Sequence, residues 1–299
     1  MQTIKTLIKR NTKLFFKDKG TFFTSLITPI ILLVLYVTFL GNIYRDSFIS
    51  SMNGIPVSDE IVGGFVGAQL FSSLLAVSCV TVAFCSNMLM VQDKISGAYG
   101  DLTIAPVKKS KLGFAYFISA EITTLIVALV AALASFIYLA CVGWYLSAGD
   151  VALLVLDIFL LATFGTLLSS VVNFFLSTQG QVSAVGSIVS SGYGFICGAY
   201  MPLSQFGEGL RTVLGFLPGT YGTSLIRNNA MRGVLEEMKT QNFPEFAIEG
   251  IKDAFDCNLY FFDTKVELWV MYLILTASIL LLLVAYILIN KLTEKKKNK

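Results

Sequence analysis

The sequence predicts an all-α polytopic membrane protein with six transmembrane helices. Of its 299 residues, 55% are hydrophobic and only 14% are charged. The mean hydropathy of +0.75 lies outside the range of soluble domains. The charged residues bound charge-free intervals long enough for the roughly 20-residue apolar helix that a bilayer core requires.

Residues 1–19 come first. Ile4, Leu7, Ile8, Leu14 and Phe15 recur at roughly helical spacing among Lys5, Lys9, Arg10, Lys13, Lys17 and Lys19, which predicts an amphipathic helix lying on the inner membrane face. No small-residue cleavage site precedes the first apolar interval, so that interval is expected to stay as an anchor. The spanning region is 20–290, with spans expected at about 21–43, 61–91, 113–142, 151–175, 182–202 and 268–290. The charge-free stretch from Ile158 to Gly207 is too long for one helix, and Ser177-Thr178-Gln179-Gly180-Gln181 divides it into two spans.

Residues 92–111 connect spans two and three as a compact polar segment with two glycines and a proline, suited to a short helix and turn below the membrane. Residues 203–267 separate spans five and six. Gly207, Gly209, Gly215, Pro218, Gly219 and Gly222 punctuate their first part, which predicts short re-entrant helices. A small acidic external cap is expected after Arg232, and Cys257 within it is expected to be accessible from outside. The basic tail is 291–299.

Orientation follows from Lys and Arg. The amino-terminal segment, the loop with Lys94, Lys108, Lys109 and Lys111, and the tail with Lys291, Lys295, Lys296, Lys297 and Lys299 hold most of them, whereas the opposite short loops carry only Arg45. Both termini are therefore expected on the cytoplasmic side. Trp144, Tyr145, Trp269 and Tyr272 suit an aromatic belt at the other interface.

Composition also narrows the chemistry. There is no histidine, which removes the usual neutral-pH general base and the commonest metal ligand, so no catalytic or metal site is expected. Five cysteines without a CxxC pair give no disulfide framework, and a net charge of +3 is too small to suggest nucleic acid. Glu121 and Asp157 fall inside spans, where a carboxylate is costly and points to function or to pairing.

Three features together resemble the ABC-2-type permeases, the membrane subunits of ATP-binding cassette exporters. One is the basic amphipathic helix before span one. The second is the loop pattern of Asp93, Lys94, Gly97, Leu102 and Pro106 followed by Val107 to Ser110. The third is the exit from span five, Gly198-Ala199-Tyr200-Met201-Pro202-Leu203-Ser204, followed by Phe216-Leu217-Pro218-Gly219-Thr220-Tyr221 and Arg227. The chain departs from the family pattern at Ile95 and Gly100, where family members often carry acidic residues.

The resemblance implies a transport subunit rather than an enzyme. No GxxxxGK[ST] phosphate loop is present, so ATP and Mg would be held by a separate cytoplasmic ABC ATPase present in two copies, with no cofactor on this chain. A second permease subunit, identical or related, would complete the assembly among the lipids of a bacterial cytoplasmic membrane. Asp93, Lys94, Gly97, Tyr99, Asp101, Leu102 and Pro106 would form the ATPase-coupling helix. The substrate path would run between spans two and five at the subunit interface, using Phe65, Gln69, Ser72, Ser73 and Asn87 with Ser187, Ser191, Tyr193, Phe195 and Tyr200. Such a lining suits a hydrophobic or amphiphilic cargo: a drug, an antimicrobial peptide or a lipid-like molecule. A surface polysaccharide or teichoic-acid exporter is the alternative within the family, and an ATP-independent secondary transporter or scramblase is the alternative outside it.

Overall fold

The computed structural model describes residues 2–52, 54–104, 108–262 and 264–297, with side chains to Leu292. Helix α1 (Gln2–Lys17) ends where Asp18 caps α2 (Lys19–Leu35), accepting from the Gly20 and Thr21 amides. Span one continues through a π-helical turn (Tyr36–Leu40) into α3 (Gly41–Ser51), so it runs eight residues beyond the expected end at 43. Helix α4 (Asp59–Ser96) is long, about 57 Å at 1.5 Å per residue. Its first turn carries Asp59 and Glu60 against the helix dipole, with Ser58 as N-cap.

The short α5 (Ala98–Ile104) leads to α6 (Lys109–Val142). Capping boxes at Ser147/Asp150 and Thr178/Gln181 begin α7 (Ala148–Phe174) and α8 (Gln179–Ile196). Then come α9 (Glu208–Leu214), α10 (Pro218–Thr240), α11 (Glu245–Ala254), an antiparallel hairpin of β1 (Leu259–Phe261) and β2 (Thr264–Val266), and α12 (Leu268–Lys297).

Among the described residues, five helical segments are long and apolar enough to cross a membrane: Lys19–Ser51, Asp59–Ser96, Lys109–Val142, Ala148–Phe174 and Leu268–Leu292. Helix α8, the expected fifth span, has 18 residues and is diluted by serine and glycine. The five are not equivalent. The most apolar window of α4 is 89% buried, whereas those of α2–α3 and α12 are 22% and 11% buried. Helix α4 is thus the axle of the bundle, packed by α2, α6, α7, α8 and α10, and the apolar faces of the outer helices are left for lipid.

The segment between α8 and α12 differs from the short helices expected. Helix α9 is short, but α10 is one continuous helix of 23 residues. It runs antiparallel to α7: Arg232 pairs with Asp150, Asn229 bonds to Asp157, and Gly222 lies against Leu161. Its amino terminus therefore reaches about 20 Å along α7 from that helix's start. Pro218 at the first turn removes a donor that would have no partner. The Thr220 and Tyr221 hydroxyls donate to the Leu214 and Gly215 carbonyls at 2.9 and 2.6 Å, satisfying the preceding turn. The glycines and Pro218 that read as repeated breaks instead mark one entry turn and the close packing of α10.

Gly233 shows how close that packing is, because a Cβ added there would collide with the Tyr145 carbonyl group. Backbone cannot rotate away as a side chain can. Gly233→Ala is expected to separate α10 from the α6–α7 connection at a cost of about 1–3 kcal/mol, read as a lowered melting temperature in detergent.

The cap comprises α11 and the hairpin. Ala247, Ile248 and Ile251 bury its inner face, and Phe255 packs on Phe65 with ring centroids 4.9 Å apart. Cys257 is 2% exposed, and burial pushes its thiol up to about 12, so the accessible thiol expected there is corrected: it faces Met231, and its polar neighbours Asp256 and Asn258 are buried with it by hydrogen bonds within the fold. Cys141 is the exposed cysteine. Lys252, then Asn258 and Lys265, bond Glu249 and hold its carboxyl down at about 2. A depressed carboxyl stabilises the fold above its ordinary value of 4.5 and loses that contribution as pH falls towards 2. Protection of the cap amides relative to their intrinsic exchange rate is therefore expected to fall across that interval, and Glu249→Gln is expected to flatten the dependence.

Candidate functional site

The first candidate surface lies at the end of the bundle that carries α1. Helix α4 stops at Gly97, whose φ of +86° turns the chain into α5. The two residues expected to lead the coupling segment face inward. Asp93, 6% exposed, accepts from Arg10 of α1 at 2.7 and 3.1 Å and from the Tyr116 hydroxyl of α6 at 2.5 Å. The hydrogen bond to Asp93 raises the Arg10 guanidinium above its ordinary value. Lys94 donates to the Phe174 and Leu176 carbonyls at 2.7 and 3.2 Å, placing a cation on the carboxyl end of α7.

Asp93 and Lys94 therefore fasten the base of α5 to α1, α6 and α7. Tyr99 stacks on Tyr116 at 6.4 Å, and Leu102 packs against the cluster of Leu7, Met90 and Leu112. What α5 presents outward is Gly100, Asp101 and Ile104, the last 84% exposed. Pro106 lies outside the described residues. The result is a small exposed helix on a rigid footing.

The residues expected to form a path do not share one surface. Phe65, Gln69, Ser72, Ser73 and Asn87 are all buried inside the chain's own bundle. Asn87 donates to the Ser169 and Ser170 hydroxyls of α7 at 3.0 and 2.6 Å, and Ser72 to its own helix at the Gln69 carbonyl, 2.9 Å. On α8, Ser187, Ser191 and Phe195 face outward, whereas Tyr193, and Tyr200 beyond the helix end, turn inward. The expectation that α4 lines an interface is corrected for a physical reason: Ser72, Ser78, Thr81 and Asn87 bond within the helix or to α7, which lets it sit at the centre, although the buried Gln69 and Ser73 side chains have no hydrogen-bond partner among the described residues.

A cleft does open between α2, α4 and α8, about 560 Å³ in volume. Ser187 lies on it with Ser183, Ser190, Thr21, Thr24 and Gln92, beside apolar Ile27, Met88 and Val182. Asp18 stands at one end, its carboxyl held below the ordinary value first by the Thr21 hydroxyl and then by the Thr21 amide.

The intramembrane carboxylates serve as ties. Asp157 accepts from Asn229 of α10 at 2.6 Å and from Tyr272 of α12 at 2.7 Å, so it joins three helices. Glu121 accepts from Thr163 of α7 at 2.9 Å. A stronger knot escaped the sequence reading of site residues. Arg227, 1% exposed, donates to the Gly198 carbonyl at 2.8 Å and to Asp256 at 3.3 Å, while Asp256 accepts from the Leu203 and Ser204 amides at 2.5 and 3.2 Å. Burial pushes the Asp256 carboxyl up, opposed by Arg227. The sequence marked Arg227 only as part of the resemblance, and nothing in it marked Asp256, 29 residues away, as its partner.

A basic helix braced on the end of α4, a capped turn at Gly97, and a deep α10 after the Gly198 knot follow one another over most of the chain. The family model for the ABC-2 type transporter matches residues 2–231. The chain belongs to that family. No curated protein and no solved structure matches it. As an ABC-2 type permease it is a membrane subunit of an ABC transporter; the family's membrane domain holds no nucleotide-binding domain, and the family implies partnership with an ABC ATPase. The match runs from α1 into α10, so it includes the end of the bundle that carries α5, the cleft and Arg227. The cap lies beyond it.

Proposed function

We propose that the chain is the permease of an ATP-driven exporter in a bacterial cytoplasmic membrane, working as a pair of identical or related subunits with two ATPase subunits that hold ATP and Mg. Helix α8 completes six spans, both termini face the cytoplasm, and the cap faces outward. The cargo is hydrophobic or amphiphilic and enters by the cleft between α2 and α8, whose lining alternates hydroxyls with Ile27, Met88 and Val182.

The observation that carries this reading is the footing of α5. An exposed helix of seven residues is tied at its base to α1, α6 and α7 by Asp93 and Lys94. A push on α5 would then move three helices together, which is what alternating access by rigid-body motion requires. Asp101 and Ile104 would meet the ATPase, and Asp93, Lys94, Tyr99 and Leu102 would transmit its motion.

The test is purification of the chain from its native membrane, followed by reconstitution. The expected result is an ABC ATPase that co-purifies with it, and vesicles that accumulate an amphiphilic dye only with ATP. Dye movement at the same rate without any ATPase subunit would replace this reading with a secondary transporter or scramblase.

A further inference from the structure

On the capped end of the molecule lies a cavity of about 170 Å³ that the transport reading does not use. Its lining brings Arg211 of α9 together with Ser204, Tyr221, Asp253 and Tyr260. For scale, a cavity of roughly 150 Å³ accommodates a benzene ring. The charges around it are what make it notable. Asp256, which also borders the cavity, is engaged by Arg227 and two backbone amides. Among the described residues, Arg211 forms no ion pair, and Asp253 is bonded only by the neutral donors Asn258 and Tyr260, at 2.7 and 3.0 Å. One half-buried cation and one solvent-exposed anion thus line a single cavity without an oppositely charged protein partner among the described residues.

The surface beside it is apolar. On α9, Leu210 and Val213 are 50% and 60% exposed, and Phe216 just beyond its end is 64% exposed. Phe216 meets Phe261 edge-on at 5.0 Å, and Phe261 meets Phe262, itself 61% exposed, at 4.9 Å. Helix α9 and the hairpin therefore form one continuous apolar face. Helix α9 leads into α10, whose start lies alongside the apolar α7, so in a bilayer acyl chains would cover that face.

We propose that this cavity is a binding site for a phosphoethanolamine lipid of the leaflet nearest the cap, with phosphate against Arg211, ammonium against Asp253, and acyl chains along Leu210, Val213, Phe216 and Phe262. Arg211 suits phosphate because its donors form a planar fork. Asp253 supplies the counter-charge that separates a zwitterionic head from an anionic one. The inference needs only that the chain is embedded in a bilayer, and it stands whatever cargo is carried.

The test uses the full chain reconstituted in nanodiscs of equal phosphatidylethanolamine and phosphatidylglycerol, with retained lipid read by native mass spectrometry. The expected result is one phosphatidylethanolamine held per chain in preference to phosphatidylglycerol by about tenfold, equivalent to about 1.4 kcal/mol. Arg211→Gln and Asp253→Asn should each remove that preference. Equal retention of the two lipids by the unaltered chain would overturn the proposal without reliance on any variant folding. So would a preference for phosphatidylglycerol, or an unchanged preference in both variants. Saturation by soluble O-phosphoethanolamine as tightly as by the lipid would also overturn it, because the apolar face would then contribute nothing. None of these outcomes bears on whether an ATPase drives transport.

Discussion

Arg227→Met is expected to cost the permease about 3–5 kcal/mol, the loss that follows when one partner of a buried ion pair is removed. Against a total stability of about 5–15 kcal/mol for a folded domain, that is enough to unfold most of the population on mild heating. The mechanism is specific. Arg227 is 1% exposed and reaches both the Gly198 carbonyl and Asp256, so its removal leaves an orphaned carbonyl and an uncompensated carboxylate among groups excluded from solvent. Asp256 in turn holds the Leu203 and Ser204 amides, which connect the end of α8 to the turn before α9.

A pH dependence accompanies the loss. Burial already pushes the Asp256 carboxyl up, and Arg227 is the largest influence opposing it. Without Arg227 it rises further. A group whose folded value lies above its unfolded value stabilises at low pH and loses that contribution as pH rises. The variant should therefore melt at a higher temperature at pH 5 than at pH 8, the reverse of a simple packing defect. Adding Asp256→Asn should recover part of the loss and abolish the pH dependence, as measured by thermal unfolding in detergent. A single variant as stable as the parent at both pH values would show that the knot contributes nothing to the fold.

The sequence made the lengths of helices legible because charge is excluded from hydrocarbon. The interval from Gly20 to Tyr44 and that from Ile61 to Gln92 lie inside Lys19–Ser51 and Asp59–Ser96. The amphipathic reading of α1 was equally legible, since Leu7 and Phe15 of the expected apolar face are buried. Neighbours were not legible. Hydropathy reports how apolar a helix is but not whether lipid or protein covers it, and Lys19–Ser51 and α4 have similar hydropathy with 22% and 89% of their windows buried.

The polar residues of α4 misled for a related reason. Ser78 and Thr81 donate to the carbonyls one turn back, Leu74 and Val77, at 2.6 and 2.9 Å. A hydroxyl satisfied by its own helix costs little to bury, yet in a sequence it is indistinguishable from one that lines a path. Asp93 and Lys94 pose the same difficulty at the α5 end of the bundle. Charges in a loop read as outward, and only the positions of Arg10, Tyr116 and the end of α7 show that they face in.

Replacement of Ala98–Ile104 by a flexible linker is expected to abolish ATP-driven transport while leaving membrane insertion intact. The helix itself buries no residue, so its loss removes little of the core, whereas everything below it remains tied by Asp93 and Lys94. The footing can be weakened separately. Asp93→Asn keeps the side-chain shape but gives up the charge that holds Arg10, which at a partly buried charged hydrogen bond is worth about 1.5–3 kcal/mol. Spread over the contact between α1, α4 and α6, that loss loosens the joint without unfolding the bundle. The expected signature is ATP hydrolysis that continues while transport falls at least about tenfold, an uncoupling of the two rates rather than a loss of both. The swapped pair, Arg10→Asp with Asp93→Arg, should restore part of the transport, because the joint needs opposite charges more than it needs their order. Transport and hydrolysis falling together in Asp93→Asn, with no rescue by the swap, would place Asp93 in the stability of the complex and not in the transmission of force through α5.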